Sequence, residues 1–121
     1  LGFKSENIEK AKLKIQLRGL DRQQKDLTKN LKVDHYFLRQ QLKRLNENLK
    51  SSSKRLVLSK DILKEYTKLY DLGQMDLDQV IRAEEMRIGT ETSIVNYVAQ
   101  KERYLANLHY VNGHLRKVLF K

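Results

Sequence analysis

The sequence predicts an all-α protein: a long antiparallel helical hairpin of the coiled-coil type. Three observations carry this. The 121 residues contain no proline, so the strongest helix breaker is absent. Leucine recurs at alternating steps of four and three through the first half of the chain, which is the seam of a heptad repeat. One convincing turn, Tyr70-Asp71-Leu72-Gly73-Gln74-Met75-Asp76, separates two helix-compatible stretches. Gly73 can end a helix in the left-handed conformation without a Cβ penalty. Asp76 and Asp78 suit the start of the next helix, where carboxylates meet unpaired N–H groups and the positive dipole end.

The first helix is expected from about residue 5 to 71. Ser5 can cap it, with Glu6 and Glu9 in the favourable first turns. Its seam opens with Leu13, Leu17, Leu20, Leu27 and Leu31, interrupted by Gln24. A second run follows: Leu38, Leu42, Leu45, Leu49, Ser52, Leu56, Ser59, Leu63, Tyr66 and Tyr70. The runs join through Asp34, Leu38 and Leu42, two successive steps of four, a stutter that relaxes a left-handed supercoil. At 1.5 Å per residue such a helix spans roughly 100 Å. Ser51-Ser52-Ser53 is its weakest point, because serine competes with helix by local hydrogen bonding. Leu49 and Leu56 nevertheless keep the heptad phase across the serines, so the helix is expected to continue. A break there, giving a compact three-helix bundle, is the competing outcome.

The tip occupies 71–76 and the second helix about 76–112. Its apolar positions include Leu77, Val80, Ile81, Ile94, Val95, Val98, Leu105, Leu108 and Leu115. Gly89 lies inside it at a cost of about 1 kcal/mol relative to Ala, for which close packing against a neighbouring helix is the expected compensation. Asn112-Gly113 reads as a C-cap, leaving 113–121 as a tail. The chain is thus one hairpin domain with helices of unequal length. A two-helix hairpin buries little surface per residue, so it is expected to self-associate into a helical bundle, an antiparallel pair of hairpins forming four helices, or to belong to a larger protein. The chain opens on Leu1 without a signal-peptide pattern and reads as a fragment or processed chain.

The net charge of +10 is uneven. Residues 1–70 carry 18 Lys/Arg against 8 Asp/Glu, while residues 71–121 carry 7 of each. A basic first helix can attract nucleic acid or anionic lipid. The plainer reading is a solvated helix face, since the bases alternate with Leu, Gln and Asn instead of forming one tract. No apolar run approaches the ~20 residues of a membrane-spanning helix. There is no cysteine, hence no disulfide and no thiolate metal site, which fits an oxidising compartment.

No enzyme chemistry is legible. His109 and His114 are five apart, off the spacing that puts two ligands on one helix face, so neither a metal nor a cofactor is expected. Glu84 and Glu85 are adjacent and point to different faces. Phosphate-binding glycine loops, HExxH and GxSxG are absent. The tyrosines Tyr66, Tyr70, Tyr97, Tyr104 and Tyr110 could stack on bases. Helix–helix contacts explain them more simply, Tyr97 and Tyr104 being one heptad apart.

At the tip the chain resembles a known family. Leu69-Tyr70-Asp71-Leu72-Gly73, then Leu77-Asp78-Gln79-Val80-Ile81-Arg82-Ala83, is similar to the hairpin tip of the outer membrane efflux protein (TolC-like) family. The stretch from Glu91 to Gly113 is similar to the polar helix that follows it there. The resemblance covers most of the chain in pattern and about 15 residues at motif level. It implies a trimeric channel whose outer-membrane barrel continues as a helical tunnel through the periplasm. This chain would be one α-hairpin repeat, cut from the β-strands that contact the membrane. The resemblance further implies that the tip docks to a periplasmic adaptor protein through Tyr70, Asp71, Leu72, Gly73, Gln74, Met75 and Asp76. Family members can narrow the tunnel with carboxylates just after the tip glycine. The candidate gate positions here are Asp78, Gln79 and Arg82, and two of the three are not acidic; Arg82 is expected to pair with Asp78. The alternative is a basic coiled-coil module that binds nucleic acid or a protein partner. A gel shift that weakens steeply with salt would support nucleic-acid binding, through counterion release.

Overall fold

The computed structural model describes residues 2–119, which form two α-helices packed against each other. Helix α1 runs Gly2–Asp71 and helix α2 runs Leu77–Leu119. No strand occurs among the described residues. The all-α hairpin is therefore the fold. Packing divides it into two compact units, Arg39–Asn107 and Leu1–Leu38 with Leu108–Lys121.

In the Arg39–Asn107 unit, α1 presents an unbroken heptad seam. Leu42, Leu45, Ser52 and Ser59 are buried, and Leu49, Leu56, Leu63 and Tyr66 are partly buried. The serine run stays helical and puts Ser52 into this seam. Ser59 is the most enclosed residue, at 2% exposure. Its hydroxyl donates to the Leu56 carbonyl at 3.0 Å, so its burial leaves no polar group unpaired. On α2 the seam positions Val80, Arg87, Ile94, Tyr97, Lys101 and Tyr104 are partly covered, with Ala83 and Thr90 buried between them, and Glu84, Glu91, Ser93 and Gln100 beside the seam are partly covered too. Counting outward from the turn aligns Leu63 with Ala83, Ser59 with Arg87, Leu56 with Thr90 and Ser52 with Ile94. Each small residue then meets a large one, the size alternation that lets facing side chains interdigitate.

In the other unit, Leu31, Leu38 and Val111 are buried, and Thr28, His35, Leu108, Leu115 and Val118 are partly buried. Thr28 and Val118 line one groove near the end of α2. Beyond it, among the described residues, Leu13, Leu17, Leu20 and Leu27 of α1 are exposed.

Several expectations about element ends and phase are corrected. Helix α1 starts at Gly2 and not near Ser5, since nothing in Gly2-Phe3-Lys4 stops the helix from extending past the capping residue. The phase runs Leu31, His35, Leu38, Leu42, with Asp34 exposed. From Thr28 onward the covered positions alternate three and four through Leu31, His35, Leu38 and Leu42, with Leu27 exposed, so the expected stutter is absent there. Gly113 does not end α2, which continues to Leu119. Leu115 and Val118 prolong the seam after Val111. Burying them outweighs the ~1 kcal/mol cost of one helical glycine.

Gly89 is exposed, and a Cβ built there meets nothing within 4 Å. The close packing expected around it is absent. Gly89→Ala should therefore stabilise the chain by about 1 kcal/mol, read as a higher midpoint in urea denaturation. A loss of stability would mean that another chain approaches α2 at this point.

Candidate functional site at the hairpin tip

The tip is built by backbone hydrogen bonds. The Gly73 N–H donates to the Tyr70 carbonyl at 2.9 Å, and the Gln74 N–H donates to the Leu69 carbonyl at 2.8 Å. This nested pair is the Schellman arrangement, which satisfies the orphan carbonyls at a helix end. It requires the left-handed region at Gly73, whose φ is 72°. Helix α2 restarts after Asp76, whose carbonyl accepts from the Gln79 N–H at 3.1 Å. Two helix ends are thus closed within a few residues, and the chain reverses without strain at any side-chain-bearing residue.

The turn displays its side chains outward. Tyr70, Asp71, Leu72, Gln74 and Asp76 are exposed, Leu72 at 69%, and only Met75 is partly covered. The Gly73 backbone is bare. From Leu69 to Ile81 the chain holds Asp71, Asp76 and Asp78 and no base, so the tip is acidic in a chain of net charge +10. Asp78 lies in the first turn of α2, where the dipole favours it. Asp71 lies in the last turn of α1, where the same effect opposes a carboxylate. Local helix stability does not explain Asp71.

Asp78, Gln79 and Arg82 are all exposed on the first turns of α2, off the seam marked by Val80 and Ala83. The expected Asp78–Arg82 ion pair does not form among the described residues. Both groups are fully solvated, and such pairs gain little from closing.

The charge cluster that does form was not anticipated. Arg87 sits on the α2 seam with its side chain 24% exposed. It pairs with Glu84 through two hydrogen bonds and with Glu91 at 2.9 Å. The Glu-x-x-Arg-x-x-x-Glu spacing is legible, since residues three and four apart are neighbours on a helix. What hid it is that Arg87 occupies a heptad position expected to be apolar. The Arg87 hydrogen bond holds the Glu84 carboxyl below its ordinary value of 4.5, with the Arg87 charge adding to it and desolvation opposing. Arg87 is held more firmly protonated, first by Glu84. A carboxylate whose pKa is lowered on folding contributes stability above its unfolded pKa. That contribution is lost as pH falls through the lower, folded value. The chain should therefore lose stability on acidification below about pH 4.5, and Glu84→Gln should flatten the slope of melting temperature against pH in that range. An unchanged slope would show that the pair is not formed in solution.

No group of three metal-ligating side chains occurs among the described residues. No helix among the described residues is long and apolar enough to cross a membrane. Tyr97 and Tyr104 lie on the seam, as helix–helix contacts require, while Tyr110 is exposed with its ring 4.1 Å from that of His114. The acidic, apolar tip is the most differentiated surface of the hairpin. Comparison with known proteins finds no matching family model, no matching curated protein and no matching solved structure.

Proposed function

We propose that this hairpin is a periplasmic tunnel element of an outer membrane efflux or type I secretion channel, docking to a periplasmic adaptor protein through its tip. One observation carries the reading: a glycine-closed turn between two heptad helices exposes Tyr70, Leu72 and a bare backbone amid three carboxylates. Apolar side chains beside accessible backbone suit close docking of another helical tip. The carboxylates select a basic partner and speed its approach. Asp71 supports this, being placed against the local dipole. Residues whose identity opposes local stability are expected at functional sites. The resemblance of Leu69–Ala83 to the efflux-protein tip supplies the identity of the partner class.

The test separates docking from folding. Asp71→Asn removes a carboxylate from the negative end of α1, so it should raise helix stability by about 0.3–1 kcal/mol. In the parent channel the same change should lower adaptor co-purification and export. Retained adaptor binding in this variant, and in Leu72→Ser, would refute tip docking.

A further inference from the structure

The Arg39–Asn107 unit carries a second heptad stripe on each helix: that on α1 is exposed and basic, and that on α2 is exposed at its aliphatic positions and acidic, with Glu84 and Glu91 partly covered and paired with Arg87. On α2 the stripe sits one residue after each seam position. It runs Ile81, Glu84, Ile88, Glu91, Val95 and onward through Val98, Glu102 and Leu105. Its aliphatic members are exposed, Val95 at 65%. Its three charged members are all glutamates. On α1 the corresponding stripe, one residue after Leu42, Leu45, Leu49, Ser52, Leu56, Ser59 and Leu63, holds Lys43, Asn46, Lys50, Ser53, Val57, Lys60 and Lys64. It is exposed throughout and has no acid between Lys43 and Lys64.

Handedness puts both stripes on one side of the hairpin. A one-residue step rotates about 100° round an α-helix. The two helices run antiparallel and their seams face each other, so the same step turns both stripes toward the same side. That side is self-complementary under a twofold axis parallel to the helices. A second copy then sets the α1 stripe of one chain over the α2 stripe of the other, twice, in the isologous manner of closed dimers. Keeping the hairpin register, Glu84 falls between Lys60 and Lys64 of the second copy, Glu102 beside its Lys43, and Ile88 between its Val57 and Lys60.

We infer that this face is a homodimer interface and that two hairpins, tips pointing the same way, form a four-helix bundle. Charge complementarity selects a second copy as occupant: each copy supplies both the acidic apolar stripe and the basic one, at matching heights. Two helices alone enclose a small core, and this face supplies the missing layer. Arg87 adds to the design by holding Glu84 and Glu91 on the stripe. The inference does not rest on the tunnel reading, and failure of adaptor docking leaves it intact.

The test is a charge swap followed by light scattering at moderate salt. The wild-type chain of 14.4 kDa should run at twice that mass. One variant carries Ile88→Lys and Glu102→Lys, the other Lys43→Glu and Lys60→Glu. Each alone sets like charges against like and should be monomeric. Mixed, they should restore the dimeric mass, because both interfaces then pair opposite charges; recovery on mixing also shows that both variants fold. A monomeric wild type, or single variants that stay dimeric, would overturn the inference. So would a monomer that shifts a DNA duplex in a manner abolished by Lys43→Glu and Lys60→Glu, since the lysines would then serve nucleic acid.

Discussion

Leu45→Ala is expected to destabilise the hairpin by about 2–5 kcal/mol, the range for truncating a well-packed leucine. Leu45 is 5% exposed and lies on the seam between Leu42 and Leu49. A cavity there cannot collapse easily, because two stiff helices hold its walls. Leu17→Ala is the control: this leucine has the same place in the heptad pattern, yet it is 57% exposed, and its truncation should cost less than about 0.5 kcal/mol. Urea denaturation of the two variants decides the matter. Equal losses would mean that the amino-terminal stripe is covered in solution by another chain.

Gly73→Val is expected to cost about 2 kcal/mol and Gly73→Asn much less. At a φ of 72° an ordinary L-residue is penalised by roughly 1–2 kcal/mol, and a β-branched one by more. A Cβ at this position meets nothing within 4 Å, so crowding adds nothing and the whole cost is backbone conformation. Asparagine tolerates the left-handed region and should keep the turn. Thermal unfolding of both variants tests this. If Val and Asn cost the same, the Schellman closure would not be what sets the turn.

Much of the fold was readable because it rests on local rules. Helix continuity through Ser51–Ser53 followed from an unbroken heptad phase, and it holds. The tip followed from one glycine between two periodic runs, and it closes at Gly73. Helix ends were less legible. Ser5 and Gly113 carry capping chemistry, but capping decides an end only where nothing favours extension, and at Gly113 the seam residues beyond it favour it strongly. Tyr70 to Asp76 were legible as a turn, and all but Met75 are exposed there, because a tight turn leaves most of its side chains in solvent. The Glu84–Arg87–Glu91 cluster was missed because a charged residue was not expected on a seam.

The sequence by itself determined two long helices, their reversal at Gly73 and the leucine seam of α1. Each depends on spacing within one helix or on the conformational range of one residue. Only the tertiary structure decided which face of α2 packs inward. Val80, Ala83, Arg87, Thr90, Ile94 and Tyr97 mark one heptad stripe, and Ile81, Glu84, Ile88, Glu91, Val95 and Val98 mark its neighbour about 100° round the helix. The second carries four aliphatic residues, yet all four are left exposed. Periodicity cannot choose between two stripes of the same period. The structure makes the choice, burying Ser52 and Ser59 on α1 and Ala83 and Thr90 on α2, small residues that let two helices approach closely.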